Sequence, residues 1–269
     1  MGSIWHLQTL CGAVLVIQRS VHRLKMSKMD CKFSVAVPTR HRRGKVQRFI
    51  ETLQATGPKD NQPEILIIHD APSSDYKPLP PPEALESVNY TSGLSNVSTL
   101  VLPKKGSLTK LYNQGMISSR HEWVLLCNDD AIFKPGWFEY LNSAIDSAQF
   151  LQINLMHYGA TCISRRMILK MGWWDETFLG GGFEDIDWQV RLNESDLNNL
   201  IDVSHDFKLI DHGKENDSTN WEDRNCRTYI EEKWKKSHMD WLNIVPSPSF
   251  RQLPEIDWYP DVTSMWSKH

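Results

Sequence analysis

Val124-Leu125-Leu126-Cys127-Asn128-Asp129-Asp130 is the stretch whose reading decides the fold. A short continuous apolar run reads as a strand buried on both faces, and here it ends abruptly in carboxylates. The carboxyl end of a central strand is where open α/β sheets bind their ligands. A second acidic stretch follows, Leu179-Gly180-Gly181-Gly182-Phe183-Glu184-Asp185-Ile186-Asp187-Trp188. Its glycines run into a cluster of acids at an expected helix start. Carboxylates of the first kind are hard oxygen donors, suited to Mg²⁺ or Mn²⁺ carrying a diphosphate. A carboxylate of the second kind, led by glycines, can approach a substrate closely and take a proton.

Working outward from Val124, strands alternate with helical patterns. Phe33-Ser34-Val35-Ala36-Val37-Pro38 reads as a first strand that Pro38 closes. Thr39-Arg40-His41-Arg42-Arg43-Gly44 follows, leading into helical spacing through Val46, Phe49, Ile50 and Leu53. A basic loop before a helix can cradle an anion, because the helix amino end adds to the positive field. The same run also reads as a solvated basic turn. Glu64 to Asp70 forms a second strand ending in an acid, and Asp70 suits either a nucleobase N–H or the cap of the next turn. Residues 72–82 are rich in proline and serine and read as a loop. Further strands are expected over 97–102, 150–155, 159–164 and 207–213, and helices over 106–119, from Pro135, from about Phe183, and over 221–236. The last helix puts Asn225, Tyr229 and Lys233 on one face. This alternation predicts an α/β fold with a mostly parallel sheet flanked by helices.

Composition narrows the classes. The 269 residues are 40% hydrophobic and 23% charged, as in an ordinary globular chain. A net charge of −3 argues against a surface built wholly for gripping nucleic acid. Five widely spaced cysteines, Cys11, Cys31, Cys127, Cys162 and Cys226, form neither a disulfide ladder nor paired zinc spacing. Buried free thiols suit a reducing compartment, so a cytoplasmic location is expected. Residues 1–28 contain an apolar run over 10–17 that is too short to span a bilayer, and they read as an accessory extension. No transmembrane span is expected. Residues 29–215 read as one domain, and 216–269 as a helix with a Trp-rich tail packed on it.

Several motifs now fall in a recognisable order: VAVPTR, LLCNDDAIFKPGW, SRRMILKMGWWDETF, GGGFEDIDWQVRL, and a later strand ending in His212-Gly213. The chain resembles inverting glycosyltransferases of the GT-A fold, especially the family 2 group and its galactosyltransferase-like relatives. The resemblance runs from Val35 to about Trp234. It implies a Rossmann-like GT-A domain that moves a sugar from a UDP- or GDP-linked donor to an acceptor hydroxyl. The acceptors it implies are glycans, lipid-linked glycans, proteins or modified nucleic acids. The family's acid-x-acid metal motif falls on Asn128-Asp129-Asp130, with Asn at its first position. Asp130 would hold Mn²⁺ or Mg²⁺, with Asp129 on the ribose or the metal. The base position falls on Glu184-Asp185, with Asp185 as the base and Glu184 binding the acceptor or supporting the base. His212 matches a histidine that often completes the metal sphere or touches the diphosphate. Pro38, Thr39, Arg40, Asp70 and Asn128 would belong to the nucleotide-sugar pocket.

Other readings compete residue by residue. Acids in a first helical turn are favoured by the helix dipole without any chemistry. Asp129-Asp130 can also start a turn and His212 can be a core histidine, while the tryptophans of the tail read first as packing. A sugar nucleotidyltransferase would want a glycine-rich loop after the first strand, which is absent, as are the P-loop and the GxGxxG fingerprint. A nucleotide-sugar-binding module with a degenerate site finds its one hint in Asn128. A glycosidase also uses two carboxylates but needs neither the acid pair nor a nucleotide pocket.

Overall fold

Alternating side chains on a strand face opposite ways, and in β1 (Phe33–Thr39) every residue is buried on both faces. Helix α1 (Arg43–Thr56) returns the chain to β2 (Glu64–His69), and α2 (Pro82–Ser92) leads to β3 (Val97–Val101). Helix α3 (Leu108–Ser118) then precedes β4 (Trp123–Cys127), the strand carrying the first acidic stretch. Next come β5 (Ala131–Phe133), α4 (Trp137–Asp146), β6 (Gln152–Met156), β7 (Ala160–Ser164) and α5 (Arg165–Met171). The remainder is α6 (Glu184–Glu194), β8 (Leu200–Asp202), β9 (Ile210–His212) and α7 (Arg224–Trp234). This computed structural model describes residues 31–40, 42–70, 82–103, 106–146, 152–156, 159–178, 183–195, 200–202, 209–213 and 224–234. The accessory extension, His41, the glycine run at 179–182 and the Trp-rich tail therefore lie outside the described residues.

The main sheet has the order β3-β2-β1-β4-β7-β6-β8. Strands β3, β2, β1 and β4 are mutually parallel, β7 runs antiparallel to both β4 and β6, and β8 is parallel to β6. The α/β expectation holds, with a mixed, mostly parallel sheet. A sheet covered on both faces must be apolar on both. On one side Phe33, Val35, Val37, Leu125 and Cys127 meet Phe49, Leu53, Phe133 and Trp137 of the α1–α4 layer. On the other, Ala36, Leu66, Leu126 and Ile163 meet Leu111, Met116, Met167, Trp174 and Trp188. Gly115 lets α3 approach closely, since a Cβ there would lie 2.7 Å from the Cβ of Ala36. A third, smaller core joins α6 to α7 through Phe178, Phe183, Val190, Ile230 and Trp234.

Three elements depart from the expectations, among them the short edge strand β8, which no strand pattern announced. Helix α2 follows directly on the stretch read as a loop. Its apolar residues are few and Leu85 is 46% exposed, so no periodicity announces it, although proline suits a first helical position. Strand β5 is three residues long and pairs antiparallel with β9, about eighty positions later. Cys127, Cys162 and Cys226 are buried free thiols, and burial pushes the Cys127 and Cys162 thiols well above their usual range. Among the described residues no helix is long and apolar enough to cross a membrane.

Candidate active site

The carboxyl ends of β1 and β4 open on one cleft. Pro38 and Thr39 line it from β1, Arg40 and Arg42 from the turn that follows, Lys45 from α1, Leu108 and Leu111 from α3, and Asn128, Asp129 and Asp130 from the turn after β4. The parallel register sets Ala36 of β1 beside Leu126 of β4, which brings Thr39 level with Asp129. The Thr39 hydroxyl donates to Asp129 Oδ2 at 2.7 Å. Arg42 Nε donates to the same oxygen at 2.9 Å, and Arg42 Nη2 donates to Oδ1.

Asp129 is fully buried, and burial raises its pKa more than Arg42 and Thr39 lower it. The role expected of it, a contact to the ribose or a cation, meets a carboxylate already held on both oxygens. Asp130 differs. Its side chain is 20% exposed at the cleft wall, with Lys45 Nζ at 4.0 Å. Asp70 sits just behind, with Oδ1 accepting the Gly106 N–H at 2.8 Å and Oδ2 3.7 Å from Arg40 Nε. It ties the loop after β3 to the basic turn.

The basic run that follows Thr39 therefore divides. Arg40, Arg42 and Lys45 face acids at the cleft, whereas Arg43 pairs with Glu86 on the exposed side. The first turn of α1 contains no acid, contrary to what the helix dipole favours. Such a concentration of positive charge at a helix amino end is suited to an anion.

Beside the acids, the backbone N–H of Gly213 donates to the Asp130 carbonyl at 2.7 Å, and His212 stands opposite Ala131 in the β5–β9 ladder. His212 is thus one ladder position from Asp130, though its side chain lies outside what is described. A Cβ on Gly213 would come 3.1 Å from the Asp130 carbonyl oxygen, so glycine suits this position.

Tyr112, on α3, links the two acidic stretches. Its hydroxyl donates to Asn128 Oδ1 at 3.3 Å. Burial, then the negative charges of Glu184 and Asp185, and beyond them Cys127 and Asp129, push its phenol far above the usual range, so it remains a donor. Its ring leans on Trp174 at 5.3 Å, and Trp174 stacks on Trp188 at 4.4 Å. One aromatic column therefore joins α3, the turn before the glycines, and α6. Glu184 is buried and Asp185 half-buried, and Asp185 Oδ1 accepts the N–H of Ile186 at 2.9 Å. Ahead of them Phe183 holds a left-handed backbone (φ 70°, ψ −10°), which is costly for a bulky residue.

Asp187 and Asp175 have a different task. Lys233 Nζ lies 2.6 Å from Asp175 Oδ2 and 2.6 Å from Asp187 Oδ1. Tyr229 donates to Asp175 at 2.7 Å, Arg191 Nε to Asp187 at 3.0 Å, and Trp234 Nε1 to Asp187 at 3.1 Å. Burial alone would raise the Asp175 pKa. The charge and hydrogen bond of Lys233, with those of Tyr229 and the Thr177 N–H, outweigh it and hold the acid below its usual 3.8. A carboxyl with a depressed folded pKa adds stability above its unfolded pKa and loses it as pH falls through the folded one. The wild-type advantage over Asp175→Asn in denaturant titrations should therefore be complete at about pH 5 and shrink steadily below about pH 4. An advantage independent of pH would remove the charge from this account.

With the geometry in place, comparison with known proteins is informative. The model for "Glycosyl transferase family 2" matches residues 34–216. The chain belongs to glycosyltransferase family 2. As a family 2 glycosyltransferase it shares the fold of a solved structure, "Crystal structure of S. aureus TarS 1-349", at 12% identity and a TM-score of 0.51. The match covers 68% of this chain and 60% of that one, and at this identity it speaks for the fold alone. A search of curated proteins found no match. Reading this family 2 chain by sequence missed Arg42 and Lys45 as individual cleft residues, and it missed Tyr112. The signal for Lys45 was its place one helical turn after Arg42. Tyr112 offered none beyond lying on the apolar stripe of α3.

Proposed function

We propose that this glycosyltransferase moves a sugar from a UDP- or GDP-linked donor to an acceptor hydroxyl with inversion, and that Asp185 is the general base. The observation carrying this reading is the convergence on Tyr112. One phenol bonds to Asn128 of the basic cleft, and its ring leads through Trp174 to Trp188 of α6, the helix that begins with Glu184 and Asp185. A donor held by its nucleoside diphosphate in the cleft would have its anomeric carbon directed towards the acids of α6.

In this reading Pro38, Thr39 and Arg40 border the nucleotide, with Asp70 behind Arg40. Arg42 and Lys45 bring positive charge to the diphosphate, and Asp129 keeps Arg42 in place. Glu184 holds the acceptor. Asp185 takes the hydroxyl proton as the acceptor oxygen bonds to the anomeric carbon. The bond from that carbon to the diphosphate breaks, and the nucleoside diphosphate departs with the electron pair.

A divalent cation fits the residues present in one specific way. Asp129 is committed to Arg42, which leaves Asp130 as a hard oxygen donor at the cleft wall, and His212 close to it along the ladder. Mg²⁺ is commonly held by one or two carboxylates together with substrate phosphates, which this arrangement allows. Bound there, Mn²⁺ or Mg²⁺ would neutralise charge on the leaving diphosphate.

Calorimetry of the full chain with UDP and with GDP, each with Mn²⁺ and with chelator, tests the reading. One nucleotide should bind, more weakly once the cation is chelated, and its hexose conjugates should be hydrolysed. If neither nucleotide binds, the cleft is not a donor site.

A further inference from the structure

Lys233 touches both flanks of the segment that carries Glu184 and Asp185. Asp175 lies ahead of the glycines in sequence and Asp187 lies in the first turn of α6, and a single ammonium bridges the two at 2.6 Å each. Lys233 is 3% exposed, while the Asp175 and Asp187 side chains are 0% and 1% exposed. Two neighbours on α7 support the same acids. Tyr229, one turn earlier on α7, also donates to Asp175, and Trp234 donates to Asp187. Arg191 ties Asp187 to the carbonyl oxygens of Met171 and Trp173 at 3.0 and 3.1 Å. Asn113 of α3 clasps the other side, accepting the Trp174 N–H and donating to Glu176.

Two acids and two bases thus balance within this cluster, with Lys233 as the member that spans the segment. Buried ion pairs are weak devices for stability, because desolvation consumes most of the Coulomb gain. Their better-attested use is to select one geometry. Here the geometry selected is the separation between Asp175 and Asp187. It sets the amino end of α6, where Phe183 is held in its left-handed conformation and Asp185 follows two residues later.

We infer that Lys233 is a positioning residue: by bridging Asp175 and Asp187 it fixes the helix start that presents Asp185 to the acceptor. The inference rests on the reading of Asp185 as the base. Lys233 is too deeply buried to meet the substrate, so its effect is transmitted through α6. Removing the bridge should lower kcat without altering how the donor is held, because the donor cleft is built from β1, α1 and β4.

The decisive variant is the double substitution Asp175→Asn with Lys233→Met. It breaks the bridge yet leaves the Asp187–Arg191 pair intact, so no buried charge is stranded. The full chain would be assayed with whichever UDP- or GDP-hexose the wild type hydrolyses or transfers, and amide hydrogen exchange would be followed alongside. The expected result is a kcat loss of about 10–100-fold with donor KM within about threefold. Amides near the start of α6 should exchange at least about tenfold faster, while β1 and β4 stay protected. Tyr229→Phe, which removes one bond to Asp175, should show the same pattern more mildly and serves if the double variant does not fold. Wild-type kcat in the foldable variant, or a loss confined to KM, would overturn the inference. Absence of turnover in the wild type would instead strike the proposed function, and unchanged exchange at α6 in the variants would then still reject the bridge.

Discussion

Asp185→Asn should reduce sugar transfer by about 10²–10⁴-fold, the usual worth of a general base. Binding of the nucleoside diphosphate should be unaffected, because the donor cleft is formed by Thr39, Arg42, Lys45 and Asn128 to Asp130, none of which Asp185 touches in a described contact. Asparagine keeps the size of the side chain and can still accept the Ile186 N–H, so the helix start is preserved. What disappears is the ability to take a proton. Turnover of the nucleotide sugar in the presence of acceptor would measure the loss, with calorimetry of UDP or GDP as the control for binding. A variant with undiminished transfer would remove Asp185 from the chemistry and turn attention to its neighbour Glu184.

Lys233→Met alone should destabilise the fold by about 3–5 kcal/mol, the range for deleting one partner of a buried ion pair. The reason is specific to this cluster. Asp187 retains Arg191 and Trp234, but Asp175 loses its only cation and keeps just the Tyr229 and Thr177 donors among its described contacts. A fully buried carboxylate then has to protonate or draw in water. Equilibrium denaturation at neutral pH measures the effect, and adding Asp175→Asn should recover most of it. A single variant as stable as the wild type would mean that water already reaches Asp175 freely.

The two substitutions separate chemistry from architecture within one acidic motif. Glu184, Asp185 and Asp187 look alike in the sequence, and all three sit favourably at a helix amino end. Asp187 nevertheless turns inward to Lys233 and Arg191, while Asp185 stays half-buried. The same division occurs at β4, where Asp129 is consumed by Arg42 and Thr39 while Asp130 remains at the wall.

Much of the architecture was legible beforehand because it is encoded locally. Apolar strand runs such as Val35 to Val37 and Leu125 to Cys127, the helical spacing of α1 and α3, and acids placed directly after a buried strand predict an α/β sheet with its site at the strand ends. Family membership follows from the order of motifs along the chain. What could not be read was pairing between distant residues. The short ladder of β5 with β9 brings His212 beside Asp130 across about eighty residues, and β7 reverses direction within the sheet, and neither leaves a periodic trace in the sequence. Local pattern thus determined where acids and bases stand along each element. Only the tertiary structure decided which acid is neutralised by a buried cation and which is left to face the cleft, because that choice depends on partners that folding alone brings within 3 Å.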